Sequence, residues 1–296
     1  CMSKLPPKNK RYERAEEFVE VVLKLWDSWG ENALAGYGVA DSSNLPYSEI
    51  TPINHEGRYF NVRGPGQTPR SPQGRPILFQ AGASKEGKLF ASRFADGIFC
   101  VALELEVAKS FYKEMKRLIR HANRDPDRVH ILPGIYLYLG STEDEAKRAL
   151  KAQSDTEAAL ENLSVKLGTT VDKLEIDETV PKEILDSALI NPQSDGHTQS
   201  LVALLKRERL TVREFLKMQP LRGPHRVLVG IPEMVVDWLE VWFLERAADG
   251  FNIGNLTHET LTIFVEEVVP RLQDRGLFRR EYEGKTLREN FCGEVG

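Results

Sequence analysis

The sequence predicts an α/β fold: part of a (β/α)8 TIM barrel, about four strands, with an inserted hairpin and a helical lid. Three observations predict it. Short apolar runs without alternation (Ile77-Leu78-Phe79, Ile98-Phe99-Cys100-Val101, Val227-Leu228-Val229) read as strands buried on both faces. Each is followed by an amphipathic stretch long enough for a helix, and such alternation implies parallel strands with right-handed crossovers. The length, 296 residues, suits one barrel domain with insertions at about 30–75 and 153–223.

Composition narrows the function classes. Hydrophobic content of 41% and charged content of 28% are ordinary for a globular chain with a sizeable core. A net charge of −4 leaves no basic footprint for nucleic acid or an anionic membrane. No apolar run approaches the ~20 residues that span a bilayer, and Cys1-Met-Ser-Lys-Leu-Pro-Pro is not a signal peptide. Cys1, Cys100 and Cys292 are far apart and form no Cys-x-x-Cys pair, which argues for a reducing, cytoplasmic setting and against a disulfide framework or a metal site.

In chain order, Ala15, Phe18, Val19, Val22, Leu25, Trp26 and Trp29 recur at helical spacing and predict a helix over 10–29, with Asn9 as N-cap. Tyr12 stands in its first turn, either within reach of a ligand at the helix start or as an ordinary half-buried tyrosine. Residues 50–62 read as a hairpin around Glu56-Gly57, with His55 a solvated side chain. After a strand at 76–80, Gln80-Ala-Gly-Ala-Ser84 is a tight turn of small residues opening a helix at 85–95. Small side chains bare the main chain, and the N–H groups of a helix start attract anions, so the turn is a candidate phosphate cradle. Taken alone, these residues favour a plainer reading, with Gly82 a turn residue and Ser84 an N-cap.

Strands follow at 96–101 and 129–139 with a helix over 104–123 between them; Pro133-Gly134 marks a bulge or kink, and His130 reads as a hydrogen-bonded core histidine. Thr142-Glu-Asp-Glu145 is a capping box. Helical pieces at 157–167, 179–190, 200–206 and 211–218, joined by polar connectors such as 191–197, form the expected lid; Thr211 and Glu214 make a second capping box. A strand at 226–230 leads to a helix at 232–248 with Pro232 in first position. A strand at 250–253, a helix at 259–275 and a charged tail at 276–296 complete the chain; Glu266-Glu267 reads as a solvated face. The convincing barrel strands are 76–80, 96–101, 129–139 and 250–253, where closure takes eight. The chain also opens with a helix where such a domain opens with a strand, so about half the barrel is expected to lie upstream.

Several segments carry a resemblance. Arg11-Tyr-Glu-Arg-Ala-Glu-Glu, Leu25-Trp-Asp-Ser-Trp29, Ile53-Asn-His-Glu-Gly-Arg-Tyr-Phe, Pro69-Arg-Ser-Pro-Gln-Gly-Arg-Pro76 and Gln80-Ala-Gly-Ala-Ser84 occur in this order. His225-Arg-Val, Ala248-Asp-Gly-Phe-Asn252, Gly276-Leu-Phe-Arg and Thr286-Leu-Arg-Glu-Asn290 follow. Together they resemble the flavin-dependent monooxygenases of the bacterial-luciferase-like superfamily, in the branch of nitrilotriacetate monooxygenase component A. The resemblance implies FMN as cofactor, used as FMNH2 with O2 through a C4a-(hydro)peroxyflavin that gives one oxygen atom to a small organic substrate. It also implies a separate NAD(P)H:flavin reductase and a homo-oligomer. No metal, no Ser/His/Asp triad and no particular catalytic side chain is called for. Tyr12 and Ser84 match the family's FMN-phosphate ligands, and Gly82 and Ala83 line the same turn. Lys8 stands where the family commonly has His, so it brings a mobile charge in place of a fixed imidazole. Ile231 stands where the family prefers Thr or Ser. Two other readings are a non-catalytic remnant of such an enzyme and a deazaflavin-dependent oxidoreductase of the same superfamily.

Overall fold

In the computed structural model, residues 6–33, 47–152, 156–190, 195–218, 225–254 and 256–293 are described. The chain divides into two units: Cys1–Phe79 with Lys85–Asp96 and Tyr282–Gly296, and Gln80–Ser84 with Gly97–Glu281.

In the first unit, helix α1 (Lys8–Trp26) begins after Pro7, which carries no side-chain cap bond. Asn9 is therefore already helical, not the expected cap. The helix closes at Trp26, where Ser28 Oγ donates to Leu25 O at 2.7 Å. Trp29 lies beyond it, its indole N–H given to Gly66 O at 2.7 Å. The hairpin forms as β1 (His55–Glu56) and β2 (Asn61–Val62), antiparallel. Glu17 of α1 holds it: its carboxylate accepts the N–H of Phe60 at 2.8 Å and of Tyr59 at 3.0 Å. His55 Nε2 lies 3.2 Å from the same carboxylate and its side chain is only 9% exposed. The expected solvated histidine is thus a buried partner, recruited by a carboxylate 38 residues away.

The same unit holds α2 (Lys85–Phe94) and α12 (Leu287–Cys292). The latter is a helix inside the expected charged tail, started by a Thr286–Glu289 capping box. Its Arg288 donates to Pro76 O at 2.8 Å, to Arg75 O at 3.2 Å and to Asp96 Oδ2 at 3.1 Å. Asp96 in turn donates its N–H to Leu78 O at 2.7 Å and accepts Leu78 N–H at 3.0 Å. This explains why no strand begins at residue 76: Pro76 has no N–H to give, and the groups around it are engaged by Arg288 and Asp96.

The second unit is built on the sheet of β3 (Phe79–Ala81, of which Gln80 and Ala81 belong to this unit), β4 (Gly97–Cys100), β5 (His130–Leu139), β6 (Arg226–Gly230) and β7 (Asn252–Gly254). The order is β3-β4-β5-β6, with β7 also on β5. Arg226–Gly230 is the strand beyond the four counted from sequence. Along β5 every ladder is parallel, and the partners change at the predicted Pro133-Gly134 break. Residues up to Pro133 pair with β4, Gly134 to Tyr136 with β7, and Ile135 to Leu139 with β6. Because Pro133 has no N–H to donate, the ladder with β4 ends there.

Helices α3 (Leu105–His121), α4 (Glu143–Ala152) and α9 (Pro232–Leu244) follow β4, β5 and β6 in turn. The expected helix over 259–275 is α10 (His258–Ile263), a π turn (Phe264–Val268) and α11 (Val269–Asp274). Pro270 lacks the N–H an α-helical ladder needs there, and the chain widens ahead of it. Ile135, Leu137 and Leu139 pack with Val235, Val236 and Leu239 of α9. The inserted segment comprises α5 (Thr156–Leu167), α6 (Lys182–Ile190), α7 (Asp195–Glu208) and α8 (Val212–Met218). Its core includes Leu163, Leu167, Leu185, Leu201, Leu205 and Phe215. Residues 195–197, expected in a connector, open α7, while 191–194 lie outside the described residues. Both capping boxes form, at Thr142–Glu145 and Thr211–Glu214. No described helix is long and apolar enough to cross a membrane.

A motif recurs at the entrances of β4 and β7. Ala248-Asp249-Gly250 repeats Ala95-Asp96-Gly97, and the bonding repeats with it. Asp249 donates its N–H to Ile131 O at 2.9 Å and accepts Ile131 N–H at 2.8 Å. Its cation is Lys116, at 2.8 Å, where Asp96 has Arg288.

Candidate functional site

Ligands of α/β barrels bind at the C-terminal ends of the strands, in the loops that lead to the helices. The end of β3 is followed directly by Gly82, Ala83 and Ser84, and α2 starts at Lys85. Gly82 has φ +135°, a conformation open to glycine and strained for any residue with a Cβ. Ala83 and Ser84 are half-buried. The turn therefore presents main chain covered only by small side chains, as the sequence predicts. Just before it, the side-chain oxygen Oε1 of Gln80 is buried and has no hydrogen-bond partner among the described residues. Unmet buried acceptors are uncommon and point to a function.

Near the end of β4, the Phe99 ring lies 5.0 Å from the ring of His225, and Tyr136 meets the same imidazole edge-on at 5.4 Å. Gly134 makes room for this imidazole, since a Cβ there would run into the His225 ring. Cys100 closes β4, and burial pushes its thiol up to about 12, so it stands as an inert neutral group and not as a nucleophile. Sequence reasoning gave no role to Gln80 or His225. A glycine inside an apolar strand was the one visible sign that something approaches closely at Gly134.

The other two predicted residues belong to the first unit. The Tyr12 ring lies edge-on to Phe90 of α2, with centroids 5.8 Å apart. Among the described residues nothing hydrogen-bonds its hydroxyl. Lys8 Nζ lies 3.9 Å from Glu86 Oε2, both side chains about one third exposed. An ion pair so wet is weak, leaving Lys8 able to exchange partners. Lys8 and Tyr12 are thus brought together against the first turns of α2, while Gly82, Ala83 and Ser84 form one turn of the second unit.

A family model described as luciferase-like monooxygenase matches residues 3–248. The chain is 38% identical over 286 residues to N-acetyl-S-(2-succino)cysteine monooxygenase of Bacillus subtilis (strain 168), covering 95% of this chain and 64% of that relative. It is 38% identical over 291 residues to nitrilotriacetate monooxygenase component A of Aminobacter aminovorans, covering 95% and 62%. Among solved structures, EDTA monooxygenase from Chelativorans sp. BNC1 superposes with a TM-score of 0.72 at 35% identity, covering 97% of this chain and 66% of that one. The chain therefore spans less than two thirds of the length of these relatives. The barrel-type α/β fold and the resemblance carried by the sequence motifs are both borne out.

Proposed function

Because the chain belongs to the luciferase-like monooxygenase family, we propose that it serves an FMNH2-dependent, two-component monooxygenase acting on a small organic molecule. The observation that carries this reading is the Gly82-Ala83-Ser84 turn between β3 and α2, where a positive-φ glycine bares the main chain. Ser84 and the turn's N–H groups hold the FMN phosphate. The buried Gln80 Oε1 suits the same cofactor, since an isoalloxazine ring offers N–H donors and this oxygen has none among the described residues. When bound, FMNH2 supplies the electrons that activate O2. The chain's own residues anchor the phosphate, and the apolar strand ends around Phe99 keep water from the reacting groups. A relative named as a component A supports a separate reductase that delivers FMNH2.

Anaerobic titration of the chain with FMNH2 and with reduced riboflavin tests this. The Ser84→Ala variant is expected to bind FMNH2 at least about tenfold more weakly, the equivalent of ~1.4 kcal/mol, with riboflavin binding unchanged. Equal FMNH2 binding by variant and parent would overturn the assignment.

A further inference from the structure

The second unit contains a cavity of about 350 Å³ that uses none of the residues of the phosphate turn. Leu103, Trp238 and Trp242 give it an apolar wall, the two indoles stacked at 4.3 Å with Trp242 buried. Four charged side chains also line it: Glu104, Glu106, Arg207 and Arg226. Three of them are already answered. Arg207 pairs with Glu104 and, at 2.6 Å, with Glu208; Glu106 takes Lys109 at 3.1 Å.

Arg226 is different. It makes no ion pair among the described residues. Its Nη1 donates to Leu103 O over a long 3.4 Å, and its buried Nε has no partner. Burial pushes its pKa below the ordinary arginine value, and the nearby charge of Glu208 offsets this only in part. A buried guanidinium N–H left without an acceptor is costly and is met best by a carboxylate, whose two oxygens match the guanidinium fork. A monoanion suits this lining better than a dianion, whose second charge would face Glu104 and Glu106. The stacked indoles offer a flat apolar face for the rest of the ligand. The volume lies near the lower end of small-molecule sites, which run from about 300 to 1,000 Å³.

We propose that this cavity binds a small aromatic monocarboxylate, with the carboxylate on Arg226 and the ring against Trp238 and Trp242. The site joins the loop after β4, the start of β6, and helices α7 and α9, so an occupant would couple the inserted helices to the sheet.

Isothermal titration calorimetry of the whole chain with benzoate, its neutral isostere benzamide, and inorganic phosphate tests the proposal. Benzoate is expected to bind saturably at one site, with benzamide at least about tenfold weaker and phosphate unable to displace it. Arg226→Gln is expected to weaken benzoate at least about tenfold. Arg207→Gln, whose charge is already paired, changes it less than about threefold. The proposal is overturned if the parent chain shows no saturable benzoate binding, or if benzamide binds as well. It is equally overturned if Arg226→Gln folds and binds benzoate undiminished, or if phosphate displaces benzoate, which would make this a plain anion site. Should Arg226→Gln fail to fold by circular dichroism, the benzoate–benzamide difference on the parent chain decides alone.

Discussion

Asp249 gathers more on one carboxyl group than any residue of the phosphate turn. It takes the Tyr112 hydroxyl at 2.8 Å, the Ile131 N–H at 2.8 Å and the Lys116 ammonium at 2.8 Å, with both Asp249 and Lys116 side chains at least 84% covered. Burial, helped by this carboxylate, pushes the Tyr112 phenol up to about 12. Removing one partner from a covered pair leaves the other charge uncompensated. Asp249→Ala is therefore expected to lower unfolding stability by about 3–5 kcal/mol, read from urea denaturation, whereas an exposed carboxylate such as Glu266 is expected to be worth nothing measurable. Asp96 does the same work for Leu78, yet neither aspartate announces itself in sequence. Its partners lie 18 and 118 residues away along the chain, and only folding brings a strand N–H to a carboxylate at that separation.

At the level of elements, what is local was legible and what is distant was not. The Thr142–Glu145 and Thr211–Glu214 capping boxes need only residues three apart, and both form as read. The hairpin at His55–Val62 was legible, but its fastening was not, because Glu17 sits on another element. Burial raises the Glu17 pKa, but hydrogen bonds from His55, Phe60 and Tyr59 outweigh it and hold the carboxyl below its ordinary 4.5. A depressed carboxylate pKa contributes stability that is complete above the unfolded value and lost as pH falls through the folded one. The Tyr59 and Phe60 amides are thus expected to keep their exchange protection from neutral pH down to about 4.5 and lose it below. In Glu17→Ala, which has no acceptor to offer them, they should be poorly protected at every pH, and unchanged protection would refute the latch. Helix α9 gives the converse case. Its N-cap, Ile231, makes no side-chain cap bond and has extended backbone with φ −85° and ψ 162°. A hydroxyl there can accept the open N–H of the first turn, so Ile231→Thr is expected to gain about 0.5–1 kcal/mol, seen as a raised denaturation midpoint.

On the scale of the whole molecule, alternation of apolar runs and helices gave the α/β class, because a strand covered on both faces has no polar side to show. The place of Arg226–Gly230 beside β5 was not available that way, since an apolar run reveals its burial and not its neighbour. Nor was the cavity at Arg226, which needs a loop after β4, a strand start and two helices to meet. Among the described residues β5 alone touches three other strands, changing partners at Pro133-Gly134. A sheet wired through one member fails as a network fails at its hub. Fraying at the tip of β7 stays private, but a break in the middle of β5 disconnects β4, β6 and β7 in a single event.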